Sequence, residues 1–576
     1  MYKYLLIFCF TQLCAYLSFA QVIINPHGLE KSDKNPAYND IYTFYKAMDA
    51  AHATIKMAAA GPTDTDDSLQ VVYYSANENF DISKWKADSK VIIFINNGIH
   101  PGEPDGIVAS MQLLWDIAEH KISIPDNVVL AIIPVFNISG AKSLRTGTRA
   151  NQNGPVLTGF RGNAQNLDLN RDFMKMDAKE TRSLVRLFRT LDPDVLIDNH
   201  VSNGADYQHV MTLLSTQHNK LGGVMGPYLN KIFEPALYRD MKTRGYDLVP
   251  YVNVWSNTPD KGWRQFSETP RFLSGYAALH HTYAFVPETH MLKPFADRVK
   301  ATYVLMQSII NYSGANAGQL HTTREQQRSM IARADNLPID WTIDTTKHTM
   351  IEYRGYKAGM KKSAVSGQEV MYYDRNRPFT ATIPFYNHYT VSKTVTVPKG
   401  YVIPQGWHKV IRRLKDNGVV LHKLEKDTTL TVTVNTILDY KTTPSPYEGH
   451  YLHSKIKSTS AGKQMKLVKG DYIIATSQPN KRYIVESLEP EAPDGFFAWG
   501  FFDGILQQKE GFSDYAFENL AAELLRNDTQ LAALLAGKCA QDPDFAKNAD
   551  AQLEFVFQNC VYHEPEHMRY PVYRLE

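Results

Sequence analysis

The sequence predicts an α/β fold: a mixed, largely parallel sheet flanked by helices, followed by a β-rich C-terminal region with a helical end. Three observations carry this. First, the runs Val91–Ile95, Val128–Val135, Val195–Ile197 and Tyr283–Val286 are continuously apolar and rich in β-branched residues. That is the pattern of strands covered on both faces, as parallel sheets require. Second, helical periodicity separates them. Ile107, Val108, Met111, Leu114, Trp115 and Ala118 fall on one face at helical spacing, and so do Leu184, Val185, Phe188 and Leu191. Third, from about Trp341 onward the strand signals alternate and are separated by turns.

The earliest helical material spans Ile41 to Ala59, and Leu69–Tyr74 reads as a strand. Val91–Ile95 runs into Asn96, Asn97 and Gly98, which break it. Asp105 is placed to supply a carboxylate at the start of the next helix. Phe295–Tyr312 closes this part as a helix. Further on, Phe379–Phe385, Val391–Val397, Val419–Leu424 and Thr429–Val434 suggest antiparallel strands of a β-sandwich-like module. Ser513–Ala536 reads as helical, with Ser513 as its N-cap. The expected division is a leader at 1–20, an α/β domain at 21–325, a β-sandwich-like domain at 326–480 and an α+β region at 481–576.

The chemistry gathers at the strand ends. In open α/β sheets ligands bind beyond the carboxyl ends of the strands. His100 and Glu103 follow the Val91–Ile95 strand on a loop bent by Pro101 and Gly102. His200 follows Val195–Ile197, and Glu288 follows Tyr283–Val286. Two imidazoles and a carboxylate are a donor set that suits zinc with a coordination position left open. Taken singly, H-x-x-E also fits a polar turn, His200 a structural histidine and Glu288 a solvated carboxylate. Four such residues at one sheet edge point to a metal site. Between them, Phe160–Phe173 holds Arg161, Asn170 and Arg171. Guanidinium groups grip carboxylates through two parallel bonds; a water-facing loop is the plainer reading of the same residues.

H-P-G-E (100–103), R-G-N-A-Q-N-L-D-L-N-R-D-F (161–173), D-N-H and G-A-D-Y within 198–207, and E-T-H-M-L-K-P (288–294) together resemble the zinc metallocarboxypeptidases of the carboxypeptidase A fold. The resemblance spans about residues 60–312, with four separated motifs in the family's order. It implies one zinc ion per chain, held by His100, Glu103 and His200. It implies Glu288 as the catalytic glutamate and Arg161 as the arginine that polarises the scissile carbonyl. Asn170 and Arg171 would hold the terminal carboxylate of a peptide substrate. The family's substrate-contacting tyrosine lies upstream of the glutamate, with Tyr276 as the candidate here. Asn166 stands where the family usually has Gly. The same fold and ligand pattern also serve deacylases acting on N-acyl amino acids or peptidoglycan peptides. A non-catalytic binding protein is the remaining alternative.

Composition narrows the partners. Hydrophobic residues make up 43% and charged residues 21% of the 576, with a formal net charge of +2. That balance gives no argument for nucleic acid or for an anionic membrane surface. Lys3, the apolar run Tyr4–Leu17 and Ser18-Phe19-Ala20 read as a cleaved secretory signal peptide, implying a secreted or periplasmic protein without a membrane span. The residues before Cys14 are a poor match to a lipid-attachment motif. Of the cysteines beyond the leader, Cys539 and Cys560 can either pair or remain free. His563-Glu564-Pro565-Glu566-His567 matches a helical zinc motif by letter, but Pro565 disfavours helix at Glu564 and excludes the geometry that motif needs.

Overall fold

A computed structural model describes residues 24–255 and 257–576; the expected leader at 1–20 lies outside them. In chain order the N-terminal part runs α1 (Tyr38–Ala51), β1 (Ile55–Pro62), β2 (Ser68–Ser75), β3 (Val91–Asn96), α2 (Asp105–Ala118), β4 (Val128–Ile133), α3 (Lys179–Leu191), β5 (Val195–Asp198), β6 (His200–Ser202), β7 (Met211–Ser215), β8 (Val249–Pro250), α4 (Leu273–Leu279), β9 (Tyr283–His290) and α5 (Phe295–Ala315). Eight strands follow the order β1-β2-β4-β3-β5-β9-β7-β8, and β6 also pairs with β9. The centre is parallel: β3 pairs in parallel with β4 and β5, and β5 with β9. The edge pairs β1–β2 and β2–β4 are antiparallel, as is β7–β9. The expected mixed, largely parallel sheet is what the chain forms.

Every residue of β3 and β4 is buried, which is why their sequences are uninterrupted apolar runs. One face packs on α2 and α5 through Ile107, Leu114, Leu305 and Ile309. The other packs on α3 through Leu184, Val185 and Phe188. Burying each such side chain is worth about 1.5–3 kcal/mol.

The early helix is shorter than its periodicity suggests. It ends at Ala51, and Ile55–Pro62 turns into an edge strand against β2, because Ser68–Ser75 offers a ladder that the sequence alone does not reveal. Glu288 also lies inside β9 rather than beyond a strand end. The strand continues past Val286 because β6 and β7 pair with it on both sides as far as Thr289.

The C-terminal part is β-rich with a helical end, but the sandwich expectation does not hold. Its strands divide among three sheets rather than two stacked ones. Strands β10 (Asn336–Ile343), β11 (Thr349–Lys362), β12 (Glu369–Tyr386), β13 (Tyr389–Thr396) and β14 (Gly400–Ile403) are followed by β15 (Thr428–Thr442), β16 (His453–Leu467), β17 (Tyr472–Ala475), α6 (Lys481–Leu488) and β18 (Tyr573–Leu575). β10 pairs with β13, and β11–β12 form a long hairpin. β14, β15, β16, β17 and β18 share the third sheet with the short strand His422–Lys423. The boundary expected at 480/481 cuts that sheet, since β18 pairs with β14 and β15. Nor is the boundary at 325/326 a break between cores: Phe188 and Leu196 share one apolar cluster with Tyr401, Ile403, Tyr483 and Trp499. Cys539 and Cys560 are both free thiols. Residues 563–567 are a turn, not a helix.

Candidate metal and substrate site

The loop after β3 is shaped by close packing. Gly98 adopts a left-handed φ of 63°, which costs glycine nothing. Gly106, in the first turn of α2, lies so near Asn199 that a Cβ would sit 2.3 Å from the Asn199 Cβ. That approach brings the His100–Glu103 loop against the β5–β6 segment carrying His200. One potential ligand atom each from His100, Glu103 and His200 lies within 4.8 Å of the others, and all three residues are buried.

Both rings are held by a carboxylate on their far nitrogen. His100 Nε2 is 2.9 Å from Asp168 Oδ1, and His200 Nε2 is 2.9 Å from Asp198 Oδ2. The near nitrogens face Glu103: His100 Nδ1 is 3.2 Å from Oε1 and His200 Nδ1 3.1 Å from Oε2. His100 Nδ1 is buried without a hydrogen-bond partner. A buried, orphaned imidazole nitrogen beside a carboxylate and a second imidazole fits a cation, and the outer carboxylates fix each ring as metal sites require. Two nitrogens and one oxygen are the donors zinc favours.

Burial alone would raise the pKa of Glu103, but His100 and Arg149 outweigh it and hold the carboxyl well below its usual range. Burial likewise works against a charged His200, yet Asp198 and Glu103 hold its pKa well above the ordinary value. Burial pushes Glu288 up to about 7, Glu103 adds to this, and His200, Arg149 and Arg161 oppose it.

These groups border a pocket of about 430 Å³ that also includes Arg149, Arg161, Asn170, Arg171, Tyr251, Trp255, Phe266, Glu268, Phe272 and Glu288. Arg161 Nη1 lies 3.4 Å from Glu103 Oε1, and its Nε donates to Asp168 Oδ2 at 3.0 Å. Asn170 is tied down on both sides: its Oδ1 accepts from the Leu273 amide at 3.1 Å and its Nδ2 is 3.3 Å from His200 Nε2. Arg171 stacks on Phe272 at 4.3 Å and donates Nη1 to the Asn170 carbonyl at 2.8 Å.

The zinc carboxypeptidase family model matches residues 41–189, the stretch that holds His100, Glu103, Asp168, Asn170 and Arg171. By this match, residues 41–189 belong to a zinc carboxypeptidase domain. Two relatives named carboxypeptidase 2 support this over a longer span. The one from Trichophyton rubrum is 23% identical over 71% of this chain and 74% of its own length. The one from Trichophyton equinum is 23% identical over 74% of this chain and 77% of its own. Among solved structures, carboxypeptidase A from Helicoverpa armigera superposes with a TM-score of 0.37 at 14% identity, over 50% of this chain and 74% of that one. A metallo-carboxypeptidase from Burkholderia cenocepacia gives 0.35 at 14% identity, over 49% and 70%.

Seven of the eight site residues expected of this zinc carboxypeptidase domain meet at one pocket: His100, Glu103, Arg161, Asn170, Arg171, His200 and Glu288. Tyr276 does not. It is fully buried in α4, donates its hydroxyl to Asn417 Oδ1 at 2.7 Å, and packs on Phe173, Phe188 and Tyr483. Its place on the apolar face of a helix turns it away from the site. The tyrosine that borders the pocket is Tyr251, on the segment after β8. Burial and the charge of Glu288 raise its pKa, so it stays a neutral phenol. Sequence reasoning also missed Arg149, which donates Nη1 to Glu103 Oε1 at 2.9 Å and Nη2 to the Val201 carbonyl at 2.9 Å. Asp168 and Asp198 stand inside stretches singled out for other residues; Asp198 is two residues from His200, whereas Asp168 meets His100 only through the fold.

Asp105 supplies the expected carboxylate in the first turn of α2, with Pro104 at the N-cap. It also accepts from Thr289 Oγ1 at 2.5 Å and pairs with Arg298 Nε at 2.9 Å. The Thr289 bond ties the start of α2 to the residue after Glu288.

Proposed function

We propose that this chain is a secreted zinc-dependent metallocarboxypeptidase that hydrolyses the C-terminal peptide bond of peptides. The observation that carries the reading is the meeting of a two-His, one-carboxylate set, a half-buried glutamate and an Asn–Arg pair in one pocket. Zinc held by His100, Glu103 and His200 would supply a Lewis acid for the scissile carbonyl and lower the pKa of water. Glu288 takes the proton of the attacking water and passes it to the leaving nitrogen, a task for a carboxylate whose pKa lies near the operating pH. Arg161 donates to the carbonyl oxygen as negative charge develops there, with Arg149 beside it. Asn170 and Arg171 hold the chain's terminal carboxylate so that only the last bond reaches the reacting groups. Tyr251 borders the same pocket and contacts the bound chain.

The test compares peptides ending in a free acid with the same peptides amidated. A charge-assisted bond to the carboxylate is worth about 1.5–3 kcal/mol, so the amides should be cut at least about tenfold more slowly. Ala at Arg171 should remove most of that difference. Equal rates on acid and amide would overturn the exopeptidase reading, and faster turnover of N-acyl amino acids than of peptides would favour a deacylase. N-terminal sequencing of the exported protein should begin at Gln21.

A further inference from the structure

The loop between β15 and β16, residues 443–452, belongs to the C-terminal part of the chain yet reaches Arg171, a residue that lines the pocket. Its Tyr447 hydroxyl accepts from Arg171 Nε at 3.1 Å. Next along the loop, Glu448 Oε2 accepts from the backbone N–H of Asp168 at 2.8 Å, the residue that holds His100. Two residues further, His450 Nε2 meets Asp177 Oδ2 at 2.7 Å. Three contacts thus join this loop to the stretch 168–177.

The loop is built to hold that position. Pro444 and Pro446 restrict its entry. Tyr447 and His450 bridge each other across a tight turn whose central residues, Glu448 and Gly449, both have positive φ, 49° and 81°. A left-handed glutamate is uncommon, and such strain persists where surrounding contacts impose it. The Tyr447 ring stacks on Trp499 at 6.1 Å and 23°. Arg271 lies over both rings, at 5.6 and 5.0 Å, and is itself fixed by Asp494 at 2.7 Å.

A guanidinium has five N–H donors. In Arg171, Nε is engaged by Tyr447 and one Nη1 hydrogen by the Asn170 carbonyl, while Phe272 covers the ring face. Three donors remain, enough for a two-bonded grip on a carboxylate. With its inner donor and its flat face both engaged, the guanidinium has one orientation in which to offer them.

We infer that Tyr447 is a positioning residue for Arg171, and that the C-terminal part of the chain thereby backs the subsite for the substrate's terminal carboxylate. This rests on the carboxypeptidase reading above. Preorganising a binding group lowers the cost of ordering it in the complex, so the effect belongs in KM and in the preference for a free acid.

Tyr447→Phe keeps the ring on Trp499 and removes only the oxygen. In the full-length zinc-loaded protein, KM for a free-acid peptide should rise about three- to tenfold with kcat nearly unchanged, while amidated peptide is cut as before. In an Arg171→Ala background the same change should have no further effect on the acid-to-amide ratio. Thermal unfolding of Tyr447→Phe controls for a general loss of structure. Equal losses on acid and amide, or losses additive with Arg171→Ala, would overturn the role of Tyr447. If Arg171→Ala itself leaves the acid-to-amide ratio unchanged, the carboxylate reading of Arg171 fails instead.

Discussion

Glu288 and His200 face each other across paired strands, and their charges pull in opposite directions. A base that titrates near 7 is active above that pH and lost below it. The acid limb of kcat/KM should therefore fall at or below about pH 7, since a dication beside Glu288 favours its charged form. Glu288→Gln should cut activity by about 10²–10⁴-fold while zinc stays bound; metal analysis beside the assay separates a base from a ligand, and a fully active variant would falsify the mechanism. His200 is the opposite case. Its pKa is held well above the ordinary value, so zinc must displace a proton to bind there. Zinc affinity should weaken as pH falls, and titration calorimetry in buffers of different ionisation enthalpy should register proton release. His200→Ala should lose the metal, and full zinc occupancy in that variant would remove His200 from the ligand set.

At the scale of elements, two buried side chains carry clear expectations. Arg298 on α5 pairs with Asp105 on α2, both without solvent exposure to speak of. Arg298→Ala strands a buried carboxylate and should cost about 3–5 kcal/mol, read by denaturant unfolding. Tyr276 on α4 bonds Asn417 from the C-terminal part. Tyr276→Phe leaves that acceptor unsatisfied and should cost about 1–3 kcal/mol of stability with KM unchanged. A rise in KM at unchanged stability would return Tyr276 to the substrate site. Tyr251→Phe should behave the other way, changing kcat/KM and not stability.

Across the whole molecule, the α/β sheet and the C-terminal sheet share one apolar cluster. Arg189 adds a bond from α3 to Asn480 Oδ1 at 2.6 Å, just before α6. A fragment ending at residue 325 would expose the apolar partners of Tyr401, Ile403 and Trp499, and exposed patches of that kind drive aggregation. It should be insoluble or lack a cooperative thermal transition, whereas the full chain should melt with both parts together. A soluble, zinc-binding 24–325 fragment would show the parts to be independent.

The sequence by itself determined the α/β sheet, because strands buried on both faces must be unbroken apolar runs, as Val91–Ile95 and Val128–Ile133 are. It also pointed to seven residues that meet at the pocket: His100, Glu103, His200 and Glu288 stand out as metal-ligand and acid–base types close to strand runs, and Arg161, Asn170 and Arg171 come with the family resemblance. Tertiary structure alone decided which tyrosine enters the pocket, since Tyr276 and Tyr251 differ only in what packs around them. It decided that Asp168 holds the His100 imidazole and that Arg149 joins Arg161 at Glu103, as contacts across dozens of residues leave no local period. It decided, too, that the C-terminal part is built into the site: nothing near Tyr447 in sequence signals that it meets Arg171, 276 residues away. Such pairings follow from how sheets and loops pack, and a one-dimensional pattern records only what each segment needs for itself.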